Sequence, residues 1–208
     1  MEVEKLKHFR FIIPAFIGIL SYWYLGKITN QWEYILPNKL QDFIYAPICL
    51  IIAYPYSLLN LTFVSNQPWF DEVNENLRKS MLDISGIPDE PDIYTWTKLR
   101  GIFYDLVDND ESLKTKAKLA YSNGLRWTTC ADLRVISFLF IVISTIVYIL
   151  GAQDAWIATT TFSAIWFLSF FASDMVTKKH KNIGIQQIEI INQKYKNKLI
   201  EKLEAVKN

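Results

Sequence analysis

Four stretches of this chain run without a charged residue: 11–26, 43–70, 135–153 and 155–173, the last bounded by Asp154 and Asp174. A helix rises about 1.5 Å per residue, so about 20 residues cross a hydrocarbon layer of about 30 Å. The second, third and fourth stretches meet that length, and the second is most apolar over 43–64. The first can borrow Phe9 and Ile28, because the stems of Arg10 and Lys27 can snorkel. All four are continuously apolar rather than alternating, and four is far too few strands for a barrel, so they predict helices. The predicted class is all-α: a polytopic membrane protein with four transmembrane helices as two hairpins (about 11–27 with 43–64, and 134–152 with 155–173) and a helical cytoplasmic layer. Pro14 is expected in the first turn of its helix, where its missing N–H costs little. Pro55 removes the bond to the carbonyl of Ile51 and predicts a kink. The flank Gly26-Lys27-Ile28-Thr29-Asn30 lacks a small-x-small cleavage pattern, so no cleaved signal peptide is expected.

The polar segments also carry periodicity. Residues 68–85 read as a helix with proline at its start, Asp71, Glu72 and Glu75 early, Arg78 and Lys79 late, and Gly86 after it. Residues 83–92 (DISGIPDEPD) form an acidic, proline-broken turn. Trp96, Leu99, Ile102, Phe103, Leu106 and Val107 fall at helical spacing. Asp108-Asn109-Asp110 resembles the start of a calcium loop, but Leu113 stands where such a loop requires glycine. A capping turn before a helix over 112–123 fits better. Gly124 is expected to break or bend the chain, and Thr129 with Asp132 to cap the third span at the membrane surface. The tail carries an apolar stripe at Ile188, Ile191, Tyr195, Leu199, Leu203 and Val206. The middle segment, a second copy or another protein must cover it.

Charge then orients the helices. The chain has 208 residues, net charge +1 and a mean hydropathy of +0.11. A positive hydropathy with 21% charged residues means that charged and apolar positions are segregated. Disorder, collagen and disulfide scaffolds are excluded by that profile, and direct nucleic-acid binding is not expected from so small a net charge. Nine of the basic residues lie between the second and third spans and eight in the tail; the two outer connections hold only Lys27 and Lys39. The excess of Lys and Arg places both termini and the middle segment in the cytoplasm. Residues 1–64 form the N-terminal segment and first hairpin, 65–133 a cytoplasmic helical region, 134–174 the second hairpin and 175–208 a cytoplasmic tail. The basic cluster Lys178, Lys179, His180 and Lys181 could touch anionic lipid or serve only as a topology signal.

Candidate chemistry is sparse. GxxxxGK[ST], GxGxxG, HExxH and GxSxG are all absent, so phosphate-cradle, dinucleotide, zinc-protease and hydrolase-elbow chemistries lack support. His8 and His180 are the only histidines, Cys49 and Cys130 the only cysteines, and no Cys-x-x-Cys occurs, so no metal or other cofactor is expected. The two cysteines would lie about 20 Å apart in depth, too far for a disulfide. The uncharged stretches carry no proton-relay residue, and seven glycines are few for a transporter of broken helices. Small and hydroxylated residues remain. Ala155, Thr159 and Ser163, with Thr160 beside them, face Ser137, Ser144 and Gly151 of the preceding span. They can hold a close hairpin or line a narrow aqueous path. Asn60 can supply an interhelical hydrogen bond or a pore contact. Ile188, Ile191, Tyr195, Leu199 and Leu203 are candidates for a partner or oligomer interface.

Residues 112–208 run as amphipathic helix, membrane hairpin and long amphipathic tail, after an earlier hairpin. In organisation this resembles small membrane proteins of prokaryotic antiviral systems: the two-span SLATT-type effectors, and the four-span membrane subunit of Kiwa-type systems. The resemblance implies a homo-oligomer, a cytoplasmic trigger or protein partner, and membrane disruption as an output. The expected function is therefore a non-enzymatic membrane anchor or sensor in anti-phage defence. The alternatives are a gated pore that depolarises the membrane and a small enzyme acting on lipid, for which a residue such as Asp132 would be needed. Single cysteines placed at Lys98 and Glu204 in a cysteine-free chain should react with an impermeant maleimide only in inverted vesicles; labelling on right-side-out cells would overturn the orientation.

Overall fold

In the computed structural model residues 3–30, 54 and 56–207 are described, with side chains from Phe9 onward except Phe11. Among the described residues the chain is helical, without a strand. The helices are α1 (Val3–Thr29), α2 (Leu61–Ser85), α3 (Trp96–Asp108), α4 (Glu111–Ile149), α5 (Ala155–Lys194) and α6 (Lys196–Lys207). Three of them, α1, α4 and α5, are long and apolar enough to cross a membrane. The fourth expected span, 43–64, lies mostly outside the described residues, as do Cys49 and the expected kink at Pro55.

Several helices run further than their local breakers predict. α1 starts at Val3, so Pro14 is interior rather than in the first turn. α2 begins seven residues before Pro68, which also sits inside its helix. α4 passes through Gly124 without interruption over 39 residues. Thr129 therefore caps nothing, and its hydroxyl donates to the carbonyl of Leu125 within the helix. α5 continues for 40 residues from the apolar stretch into the tail, about 60 Å at the helical rise. Helix formation is cooperative, so one unfavourable residue inside a long packed helix is tolerated.

The terminators that do act adopt left-handed backbone. Gly86 ends α2 at φ +71, with the Ile87 N–H reaching back to the carbonyl of Leu82 at 3.3 Å. Gly151 sits at φ +108 after α4, where the Ala152 N–H bonds the Val147 carbonyl at 3.2 Å. Both are six-to-one closures that glycine permits at little steric cost.

The chain divides into two compact units. The first comprises residues 1–66 and 125–174. Its core is Leu25 of α1, Ile136 and Phe140 of α4, and Ala158 and Phe162 of α5. Tyr24 meets Phe162 edge-on at 5.8 Å and donates or accepts a hydrogen bond with Thr161 at 2.9 Å. The surface is apolar: Phe138, Leu139, Phe167, Leu168 and Phe171 are all exposed. The interior holds Ser137, Ser144, Ser169 and Ser173. An apolar exterior with hydroxyls buried beside an apolar core is compatible with a lipid surround.

The second unit comprises residues 67–124 and 175–208. Here the burial pattern is the ordinary one. Met81, Leu82, Leu99, Leu106, Leu113, Ile191, Leu199 and Leu203 are sealed inside it. α6 lays Leu199 and Leu203 against α3, so the tail stripe is covered by its own chain. Arg78 is buried and binds Glu75 and Asp89 through both carboxylates, and its Nη1 also reaches the Tyr94 carbonyl at 3.4 Å. It thereby closes the acidic turn onto α2 and holds both carboxyls below their usual range. Asp110 accepts the Leu113 N–H at 2.9 Å, the capping role its position predicts, and also binds Lys194 and Tyr195 at 2.9 and 3.0 Å.

Two outcomes are expected. Leu203→Ala should destabilise the protein by about 2–5 kcal/mol in denaturant unfolding, as for other fully buried leucines. The Asp110 carboxyl is held down to about 2, chiefly by Lys194 and then by the Leu113 N–H, against an ordinary 3.8. A depressed acid contributes stability above its unfolded value and loses it as pH falls through the folded one. Melting temperature should therefore drop between about pH 4 and pH 2, and Asp110→Asn should flatten that part of the profile.

Candidate functional site

The residues with the most chemistry lie in the first unit. α4 carries Asp132 and Arg134, 1% and 6% exposed. Two residues apart on a helix, they point about 200° apart, so one helix serves two separate polar clusters.

The first cluster gathers on the carboxylate. Asp132 Oδ1 accepts from Tyr56 Oη at 2.9 Å and from Thr62 Oγ1 at 2.5 Å, and the two hydroxyl oxygens are 3.4 Å apart. Tyr56 precedes α2 and Thr62 is its second residue, so the carboxylate meets chain on both sides of the helix start. The second cluster surrounds the guanidinium. Arg134 Nη1 donates to the carbonyl of Ser65 at 2.7 Å and its hydroxyl at 3.1 Å. Nη2 donates to the Ser169 carbonyl at 3.4 Å and to the Ser173 hydroxyl. The guanidinium carbon also lies 4.5 Å from the centre of the Phe170 ring, within cation–π range. Asn66, one turn beyond Thr62 on the same face of α2, is fully buried, and neither of its amide atoms has a partner among the described residues.

Chemically these clusters bind and position. The Ser173 hydroxyl faces a cation, and although the Tyr56 and Thr62 hydroxyls sit on the Asp132 carboxylate, that carboxylate is sealed from solvent. Among the described residues no three His, Cys, Asp or Glu side chains are grouped to hold a metal ion.

The residues singled out by sequence fall into three groups. Ala155 is fully buried, Thr159 donates to Ser144 Oγ at 2.8 Å across the hairpin, and Ser163 and Thr160 donate to the carbonyls of Thr159 and Trp156. Of this row only the Thr159 hydroxyl bonds across to α4, while those of Thr160 and Ser163 are taken up within α5. Among the described residues Asn60 makes no interhelical hydrogen bond. It is exposed, with φ +50, and marks a break in the second apolar stretch. Asparagine tolerates that conformation because its short side chain fits the left-handed region. Ile188, Ile191, Leu199 and Leu203 are buried and Tyr195 is half-buried, so the structure places all five inside the second unit rather than on a free surface.

Asp132 was legible as a cap and as the acid a lipid enzyme would need, and Arg134 as a topology charge, but neither as the centre of a polar cluster. The missed signal is their position, three residues and one residue before the uncharged stretch. A helix already running at that point must carry both side chains into its packed part. No family model, curated protein or solved structure matches this chain.

Truncating a buried cation's side chain strands its acceptors, whereas an apolar isostere at an unpaired amide removes a penalty. Arg134→Ala should lower stability in detergent by about 1–3 kcal/mol, while Asn66→Leu should cause no loss. Thermal unfolding checks both; a marked loss in Asn66→Leu would reveal a bound water or ligand at that amide.

Proposed function

We propose that the protein is a multi-pass membrane anchor or sensor of a bacterial inner membrane, with both termini and residues 65–133 in the cytoplasm. It assembles as an oligomer and docks a cytoplasmic protein partner, without catalysis, in anti-phage defence. The defence assignment is supported by organisation alone, namely apolar hairpins joined to amphipathic cytoplasmic helices.

The observation that carries the anchor reading is the partition of exposed apolar side chains between the units. Among the described residues, twenty of the twenty-five large exposed hydrophobics belong to the first unit and five to the second. A surface so divided suits lipid around one unit and water around the other. The second unit closes its own core, so it can present a folded surface to a partner. On that surface Tyr104 of α3 and Tyr121 of α4 lie near one another, each about half exposed, with Leu119 also open on α4. Tyrosine is enriched in protein interfaces and costs little entropy to immobilise.

The pore reading has less support. Its candidate hydroxyls at Thr159, Thr160 and Ser163 are already bonded to Ser144 or to carbonyls of their own helix. The lipid-enzyme reading loses its candidate acid, because Asp132 is sealed.

Tyr104→Ala with Tyr121→Ala should abolish co-purification of cytoplasmic partners while leaving membrane insertion and melting temperature unchanged. Retained partners would refute docking at this face. Ion flux from liposomes that is altered by Thr159→Trp would favour the pore instead.

A further inference from the structure

The uncharged stretch of α5 ends at Ser173, and Lys178 and Lys179 follow on the same helix within about 9 Å of helical rise. Each headgroup layer of a bilayer is about 5–8 Å thick, so lysines at that distance from the apolar stretch can keep their ammonium groups among the headgroups by bending their stems. Both are exposed, and among the described residues neither forms an ion pair, not even with Asp174 one turn before Lys178. Most cations of the tail differ in this. Lys181 pairs with Glu72, Lys194 with Asp110, Lys198 and Lys202 with Asp105, and Lys207 with Glu90. Lys196 is unpaired too, but it begins α6, beyond the end of α5. Met175 lies one turn before the two lysines on the same face and is 73% exposed, the most open large apolar side chain described in the second unit. Thr177, Ile183 and Ile188 turn to the buried side. The second unit thus leaves open one face of α5 on which an apolar side chain is followed by two uncompensated positive charges.

We propose that Met175, Lys178 and Lys179 form a site for the headgroup of an anionic phospholipid of the cytoplasmic leaflet. The proposal rests on the membrane reading above and adds to it a choice of lipid. Lysine ammonium groups carry three donors each and no acceptor, so two of them side by side suit a phosphate and repel a further cation. Met175, at the end of the apolar stretch, meets the acyl and glycerol part of the same molecule, where its thioether chain loses nothing by exposure. A soluble acidic partner would satisfy the lysines but leave that methionine in water.

The test follows the melting temperature of the full chain in detergent micelles as phosphatidylcholine is replaced stepwise by phosphatidylglycerol. A lipid that binds the folded state raises the melting temperature. The parent should show that rise. Lys178→Gln with Lys179→Gln should need about tenfold more phosphatidylglycerol for the same rise, in line with the contribution of two lysines at an anionic surface. Lys178→Arg with Lys179→Arg should behave as the parent. So should Lys98→Gln with Lys118→Gln, which removes the same charge from two other exposed positions of the second unit. An unchanged response in the Lys178/Lys179 glutamine variant would overturn the site and leave the two lysines as topology charges. An equal loss in the Lys98/Lys118 variant would overturn it in favour of unspecific attraction. The same rise with glycerol 3-phosphate alone would assign the lysines to a soluble phosphate instead, and an intact lipid response with lost partner co-purification would assign them to an acidic protein. Alkaline carbonate washing of reconstituted vesicles tests the membrane reading separately: a chain that washes off removes both, whereas an inserted chain indifferent to phosphatidylglycerol removes the lipid site alone.

Discussion

A polar atom buried inside the first unit costs free energy unless another protein atom pairs with it, a cost that Asp132 and Arg134 avoid and the Asn66 amide does not. That cost orders the unit more strictly than apolar packing does. Apolar side chains exchange one hydrocarbon contact for another at little difference when lipid is the solvent, so they give weak specificity. A guanidinium has a fixed fork of donors and a carboxylate a fixed set of acceptors. Arg134 is held by residues from α2 and α5, and Asp132 by Tyr56 and by Thr62 of α2. Only one register of these segments meets both sets of demands. The hydroxyl pair Thr159–Ser144 repeats the principle further along α4 and α5.

The second unit obeys the opposite rule with the same helices. Its leucines and isoleucines are buried and its charges pair at the rim: Lys181 with Glu72, Lys198 and Lys202 with Asp105, Lys207 with Glu90. Exposed pairs of this kind add little stability individually. They do bias how α5 and α6 lie on α2 and α3, because each joins the tail to the middle segment. The buried Arg78 is different, since loss of either of its carboxylates would leave a desolvated charge short of a partner.

Helical class, the helix over 96–107, the cap at Asp110, the stop at Gly86 and the tight second hairpin were legible because each depends on local chemistry. Helix continuity was not. Gly124, Pro14 and Pro68 are breakers by propensity, and tertiary packing overrides all three. The candidate site was half legible for a related reason. The small-residue row of Ala155, Thr159 and Ser163 shows as a spacing pattern. Asp132 and Arg134 show no pattern, because their partners lie 76, 70, 69, 35 and 39 residues away in sequence. Their meaning rests on how far the helix extends before the apolar stretch begins, which is the feature local reading misjudged.

The covered tail stripe changes what a partner surface can be. An uncovered apolar stripe demands an occupant, since leaving it in water is costly. Once Leu199 and Leu203 lie against α3, that demand vanishes, and removing the tail would expose α3 rather than delete an interface. A partner must then recognise what remains open, and open surface carries information only where it departs from the usual charged mixture. Tyr104, Tyr121 and Leu119 are such a departure, with Met175 and Ile185 the other large apolar side chains exposed in that unit among the described residues. Recognition through a few exposed aromatics on a finished fold needs no folding on binding. It therefore suits an anchor that stays assembled whether or not its partner is present.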